Sequence, residues 1–411
     1  IYNLLTRQGD IRMNYTKKLY IFITLLTVPS INALDLYYPN EVWEETSPES
    51  QNVDSVKVQK LIDLSFEDDS TMSVLIIKNG KIIGEKYAEG YDLNSYGTSW
   101  SMAKSFYAAL IGISIKNGEI NSLDDPVSDY LDYFNDERSD ITLRDLLDMS
   151  SGLEYPEHQH EKMFFWKDHV EYSKNVGVEK PAGTKFEYNN VNSMLLGEIL
   201  LSATGIKADT LLRERILNPI GNSDYKLWRD EVGNVLAYCC MDMSAREYSR
   251  FGLLFARNGN WDGNQIISED FVNETFQTVW ETPNWWTDSK RWYSLHWWVS
   301  KYDDESKIFN ASGRFGQYIF VDRENDVIFT RLTKYNNTDF GSQQRWGILG
   351  NIVKWMGIET AIGVSRFLLN IGLVERGPDV NAPNTEQEGS SKEFYEKYPE
   401  IIDAMADLSR D

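Results

Sequence analysis

Apolar residues recur at helical spacing over residues 53–68, after which the pattern changes. Residues 72–77 form a run rich in strand-forming side chains, Asn79-Gly80 suits a tight two-residue turn, and residues 81–87 complete a hairpin. From Ser101 the pattern is helical again to about Ile115 and stops at Asn117-Gly118, where glycine ends a helix. The stretch to about Gln277 predicts mostly helix with long loops: Thr142 caps a helix over 143–149, and 193–204 is another apolar helical run. Strand character returns at 293–299, 317–322 and 327–332 through aromatic and β-branched residues, and 341–356 closes as an amphipathic helix. Strands at both ends with helices between them predict an α+β fold. One antiparallel sheet flanked by helices is built from N- and C-terminal segments, with a mostly helical lobe inserted. No internal repeat is visible.

The two ends are read separately. Met13, Lys17 and Lys18 precede the apolar run 19–28 and then Ser30-Ile31-Asn32-Ala33, the order of a signal peptide and its cleavage site. The run is short for a membrane span. Residues 1–33 are therefore set aside as upstream residues and signal peptide, and a periplasmic or secreted mature chain without an integral membrane domain is expected. The hydrolase-sized domain is placed at 34–376, with one lobe at about 50–98 and 290–376 and the helical lobe at about 99–289. Apolar residues 360–374 include Arg366 and are too few to cross a bilayer. Residues 377–411 are polar and acidic and read as a loosely attached tail.

Composition narrows the function classes. With 411 residues, 42% of them hydrophobic, the chain can bury the core of a two-lobed enzyme. A formal charge of −22 repels phosphate and argues against nucleic acid or an anionic membrane as partner. Cys239 and Cys240 are adjacent; neighbours bridge only with strain, so two free thiols at a packed helix start are expected. Among four histidines only His158 and His160 are close, without a recognisable ligand motif, so neither a metal nor a cofactor is expected.

The candidate chemistry centres on Ser99-Trp100-Ser101-Met102-Ala103-Lys104-Ser105. In the first turn of a helix, residues three apart share a face, which brings the Lys104 amine within reach of the Ser101 hydroxyl. Unpaired N–H groups at a helix start suit a developing oxyanion, and a buried lysine with a lowered proton affinity can deprotonate a serine without any histidine. The same spacing recurs at Ser223 and Lys226, so spacing alone does not decide.

Further segments single out Ser101. Tyr188-Asn189-Asn190 follows Pro181-Ala182-Gly183-Thr184 just ahead of a helix, and Ala311-Ser312-Gly313-Arg314-Phe315-Gly316 lies at a strand start. Residues 123–127 and 143–153, Trp228-Arg229-Asp230 and the stretch from Ser244 to Gly252 stand in the expected order around them. Together these motifs resemble the serine β-lactamase and penicillin-binding-protein superfamily over about residues 50–357, in particular the branch with class C β-lactamases, DD-peptidases, related esterases and 6-aminohexanoate-dimer hydrolases.

The resemblance implies Ser101 as nucleophile, Lys104 as its base and Tyr188 as proton relay. It also implies Asn190 as a residue holding lysine and substrate, and the Gly313-Arg314 turn, with the backbone N–H groups of Ser101 and Arg314, as an oxyanion and substrate subsite. The implied activity is acyl-enzyme hydrolysis of a small-molecule ester or amide. A β-lactamase or DD-peptidase, or a non-catalytic binding protein on this scaffold, is the alternative. One departure bears on substrate: where lactam-binding members commonly carry Lys or His, this chain has Ala311. Arg314 supplies charge there only if its side chain faces the cleft. The loop 154–180, with Phe164, Phe165 and Trp166, is a candidate wall.

Overall fold

Asn79 and Gly80 both adopt positive φ, 51° and 80°, which is the backbone of the mirror-image turn that matches the twist of two antiparallel strands. Gly80 has a second reason to lack a side chain: a Cβ there would stand 2.1 Å from the Tyr37 carbonyl oxygen. The turn joins β1 (Thr71–Lys78) to β2 (Lys81–Tyr87), as the pattern predicts. The computed structural model describes residues 36–156, 159–164, 166–283, 290–303, 306–334 and 392–409, with isolated positions between 355 and 371. The readings for 1–33, Phe165, His158 and most of 341–356 and 360–374 lie outside the described residues.

In chain order the elements are α1 (Ser55–Ser65), β1, β2, β3 (Gly97–Thr98), α2 (Ala103–Lys116), α3 (Leu143–Leu147), α4 (Gln159–Phe164), α5 (His169–Lys174), α6 (Asn190–Thr204) and α7 (Ala208–Leu212). They continue with β4 (Lys226–Leu227), β5 (Met241–Met243), α8 (Ala245–Ala256), β6 (Asn260–Trp261), β7 (Asn264–Gln265) and α9 (Glu269–Thr275). The last are β8 (Trp280–Pro283), β9 (Lys290–Ser294), β10 (Trp297–Tyr302), β11 (Lys307–Gly313), β12 (Gln317–Asp322), β13 (Val327–Thr333) and α10 (Lys392–Asp407).

The large sheet runs β2-β1-β13-β12-β11-β10-β9-β8, antiparallel throughout. The N-terminal hairpin joins the C-terminal strands through β1 and β13, so the α+β architecture is the one expected. Alternate side chains of a strand point to opposite faces. Leu75, Ile77, Ile319, Val321, Ile328 and Leu332 enter the core shared with α2 and α8, whereas Val74, Ile76, Tyr318, Phe320, Val327 and Phe329 meet α1 and α10. The sheet is thus covered on both sides, which is why β1 and β13 are buried along nearly their whole length and not at alternate positions. Between them the chain is largely helical; a capping box at Thr142 and Asp145 starts α3, and α2 is buried almost all round.

Three strand and tail readings change. The single strand expected at 293–299 is two, because Leu295 and His296 take positive φ of 41° and 64° and form a hairpin without glycine or asparagine. Ala311-Ser312-Gly313 ends β11, a strand that the pattern does not predict, and the chain then enters the strand expected at 317–322. The tail is not loose at 392–409: α10 buries Tyr398, Ile401, Ile402, Met405 and Leu408 against α1 and the sheet. The Tyr398 hydroxyl bonds Ser300 Oγ at 2.8 Å, and Lys301 pairs with Asp403 at 2.8 Å. These apolar positions recur at helical spacing beneath an acidic composition that masks them. Met405→Ala should lower the free energy of unfolding by about 3 kcal/mol in urea titration, with hydrolytic activity per folded molecule unchanged. An unaltered midpoint would refute the docking of this helix.

Candidate active site

The segment leading into α2 is held as a sharp turn. Trp100 adopts φ +45°, a conformation that costs a non-glycine residue on the order of 1–3 kcal/mol and persists only when its surroundings impose it. The surroundings do so. Ser99 N–H donates to Met241 O at 2.7 Å, Met241 N–H donates back to Ser99 Oγ at 2.8 Å, and the Trp100 ring packs edge-on against Phe315 at 5.2 Å. Ser101 follows in a short 3-10 turn, Trp100–Met102, and Lys104 is the second residue of α2. The i, i+3 relation expected from the sequence is realised: Lys104 Nζ stands 3.1 Å from Ser101 Oγ.

Lys104 is 1% exposed, and its amine donates to the Tyr238 carbonyl at 2.6 Å. Burial holds its proton affinity well below that of a free lysine, which favours the neutral amine. Such an amine has two N–H groups and one lone pair; giving one N–H to Tyr238 O orients the lone pair, and Ser101 is within its reach. The rings of Tyr188 and Tyr238 face Nζ at 5.1 and 5.7 Å.

Tyr188 comes to the same point from the loop before α6. Its hydroxyl hydrogen-bonds Ser101, and its ring stacks on Trp298 at 5.7 Å and meets Tyr293 edge-on at 6.0 Å. Burial pushes the phenol well up, against the opposing effects of the Ser101 hydrogen bond and Arg291, so it stays protonated at neutral pH. Behind it, His296 Nε2 bonds Ser193 Oγ at 2.9 Å, His296 Nδ1 bonds Tyr293 OH at 3.2 Å, and the His296 carbonyl accepts from Ser105 Oγ at 2.7 Å. Burial, and next the charge of Lys104, press the imidazole down to about 3, so it is a neutral strut.

Asn190 is the first residue of α6; the cap is Asn189, whose side chain accepts from Val191 N–H at 2.9 Å. Asn190 is half-buried two residues beyond Tyr188.

Gly313 is where β11 meets the Ser99 turn. A Cβ there would lie 2.1 Å from Ser99 O, so only glycine lets the strand end approach this closely. Ala311 shares that face of the strand and is fully buried. Arg314 is exposed and lays its guanidinium over Phe315 at 4.6 Å. Phe164 from the candidate wall reaches Trp100 at 6.5 Å.

Ser101, Lys104 and Tyr188 are therefore brought together, and Gly313 abuts their turn. Ser223 is not part of this cluster: it precedes β4 at the surface. Sequence reasoning did not find Tyr238, because its contribution is a backbone carbonyl, nor Trp298 and Arg291, whose guanidinium lies 3.9 Å from the Trp298 ring. The expectation of two free thiols is corrected. Cys239 and Cys240 are joined by a disulfide, made possible by φ +88° at Cys240 in a turn anchored where Trp228 N–H donates to Cys240 O at 3.1 Å. Among the described residues no group of three or more His, Cys, Asp or Glu is placed to hold a metal ion, and no helix is long and apolar enough to cross a membrane.

Known proteins resemble this chain in sequence and in fold. The 6-aminohexanoate-dimer hydrolase of Paenarthrobacter ureafaciens is 20% identical over 298 residues, covering 67% of this chain and 75% of that protein. An Escherichia coli (strain K12) protein assigned as a D-alanyl-D-alanine carboxypeptidase is 28% identical over 242 residues, but the match spans only 50% of this chain and 54% of that one. The solved structure of a Bacillus anthracis protein assigned as a 6-aminohexanoate-dimer hydrolase superposes with a TM-score of 0.61 at 21% identity, covering 79% of this chain and 88% of that one, which is a likeness of fold. The Beta-lactamase family model matches residues 66–351, a family of hydrolases that includes esterases, amide hydrolases and DD-peptidases. On that match and this fold, the chain belongs to the Beta-lactamase family.

Proposed function

We propose that the chain is a serine hydrolase that cleaves carboxylic esters or small amides through an acyl-enzyme on Ser101. The observation that carries this reading is the buried Lys104 amine 3.1 Å from Ser101 Oγ, with its second contact taken by Tyr238 O at 2.6 Å. A serine hydroxyl is a weak nucleophile until a base removes its proton, and an amine kept neutral by desolvation is such a base. In acylation the Ser101 proton passes to Lys104 as Oγ bonds the substrate carbonyl carbon. The leaving oxygen or nitrogen takes a proton from the Tyr188 hydroxyl, which regains one from the Lys104 ammonium as the carbonyl–leaving-group bond breaks. Water then adds to the acyl-enzyme, gives its proton to Lys104, and the collapse returns a proton to Ser101 Oγ with release of the acid.

The backbone N–H groups of Ser101 and Arg314 are the proposed oxyanion donors, each contributing about 3 kcal/mol to the barrier reduction. Gly313 permits their approach, and Asn190 holds the lysine and the substrate. Tyr188 acts as a relay and not as the resting base, since its hydroxyl stays protonated. Ester or small-amide preference follows from Ala311: the site lacks a cation at the position from which a substrate carboxylate would be gripped, and Arg314 turns its charge to solvent. Secretion or export to the periplasm remains part of the proposal on the N-terminal pattern.

The test is intact-mass measurement after exposure to a fluorophosphonate and, separately, to a penicillin. One fluorophosphonate adduct per chain, mapped to Ser101, is expected, with p-nitrophenyl ester turnover exceeding penicillin turnover. Stable penicilloyl adducts or penicillin turnover would move the assignment to β-lactam chemistry. Folded protein that forms no adduct with either reagent would end the catalytic reading.

A further inference from the structure

The Cys239–Cys240 bridge lies between two anchors of the site. On its N-terminal side, Tyr238 O accepts from Lys104 Nζ at 2.6 Å, and the Tyr238 hydroxyl bonds His169 Nδ1 at 3.2 Å. On its C-terminal side, Met241 O accepts from Ser99 N–H at 2.7 Å and Met241 N–H donates to Ser99 Oγ at 2.8 Å, two residues before Ser101. The two bridged cysteines are thus the whole covalent path from the carbonyl that orients the base to the strand that tethers the nucleophile's turn. Both are buried, and Cys240 holds φ +88°, a conformation that an open-chain residue rarely adopts. Ring closure removes the torsional freedom by which that turn would relax. Opened to two thiols, the sulfurs need more room than a bonded pair, inside the same buried core that holds Trp228 and Trp100. The peptide units on either side must then shift, and the Tyr238 carbonyl is one of them.

We propose that the bridge is a positioning element for Lys104, so that hydrolysis at Ser101 depends on the redox state of Cys239–Cys240, with the bridged form active. This rests on the reading of Lys104 as base. Opening is a two-electron step: a dithiol reductant transfers two electrons and two protons to the sulfurs, the S–S bond breaks, two thiols form, and the reductant leaves as its cyclic disulfide. The Tyr238 carbonyl then no longer holds the amine. A carbonyl acceptor stabilises ammonium more than amine, so its loss makes Lys104 easier to deprotonate while leaving it poorly aimed at Ser101.

The experiment compares bridged enzyme, enzyme treated with dithiothreitol, and Cys239→Ser/Cys240→Ser. The bridge is scored by intact mass after alkylation under denaturing conditions. Against p-nitrophenyl butyrate, loss of the bridge should lower kcat about tenfold with KM nearly constant, because displacement of a catalytic group by a fraction of an ångström to an ångström costs that order of rate. The acidic limb of the pH profile should move to lower pH, and reoxidation should restore wild-type enzyme but not the double variant. A lowered melting temperature with kcat and the pH limb unmoved assigns the bridge to stability alone and overturns the proposal. A bridge that dithiothreitol leaves closed in folded enzyme overturns the redox dependence. Fluorophosphonate labelling of the bridged enzyme separates the two readings: labelling at Ser101 with no effect of the bridge defeats only this inference, whereas no labelling defeats both.

Discussion

Ser101→Ala is expected to eliminate the fluorophosphonate adduct and to lower kcat on p-nitrophenyl esters by a factor on the order of 10⁴ or more. The loss is this large because Ser101 Oγ is the hydroxyl that the Lys104 amine faces, at 3.1 Å, and the amine's other hydrogen-bond partner is a carbonyl, which cannot attack. Stability should change little. The variant removes one oxygen from a half-buried position, while the turn remains held by the Ser99–Met241 bonds and the Trp100–Phe315 contact. A melting temperature within a few degrees of the parent, alongside the lost activity, separates a chemical role from a structural one. Substantial retained turnover in the variant would exclude Ser101 as the nucleophile.

Lys104→Met is expected to cost about 10³-fold or more in kcat, and the parent enzyme should lose activity as the pH falls through the folded-state pKa of Lys104. The sign follows from protonation. Burial depresses the folded value below the 10.5 of an unperturbed lysine, and protonation consumes the lone pair that serves Ser101. The same shift sets a stability signature. Between the depressed folded value and 10.5 the unfolded chain binds a proton that the folded chain does not, so unfolding becomes harder as pH rises through this window. Methionine does not titrate. The stability of the parent relative to Lys104→Met should therefore increase from neutral pH toward 10.5, measured by urea unfolding at matched pH values. A difference that stays flat with pH would mean that Lys104 is charged when folded and would remove it as the resting base. Lys104→Arg should be worse than methionine in both respects, since a guanidinium cannot shed its proton and would sit charged in a buried site.

The catalytic candidates were legible to different degrees for physical reasons. Ser101 and Lys104 lie within one helical turn, so the chain's own geometry brings them together once the helix exists. Tyr188 comes from a loop far along the chain, and only its place in a family pattern pointed to it. Its stacking on Trp298, the cation of Arg291 beyond that ring, and the neutral His296 behind it depend on β9 and β10 folding back onto the lobe. Arg314 shows the opposite case: sequence left open whether its charge faces the cleft, and the side chain lies over Phe315 and faces solvent.

Sequence by itself determined the local and periodic features: the Asn79-Gly80 hairpin, the helix from the Ser101 turn to Asn117-Gly118, the Thr142 cap, and the pairing of strands from both ends of the chain. Each is governed by residues within a few positions of one another or by a repeating apolar pattern. Tertiary structure alone decided what depends on distant backbone. Leu295 and His296 turn a hairpin that their side chains do not announce, the acidic segment 392–409 becomes a docked helix because the sheet offers its apolar stripe a partner, and Cys239 and Cys240 bridge because their turn is held open by neighbouring strands. The acceptor of the Lys104 amine is the clearest instance. Every residue carries a carbonyl, so nothing in the residue type marks Tyr238; its position 134 residues along the chain from Lys104 is set by packing, and it is that packing which orients the amine.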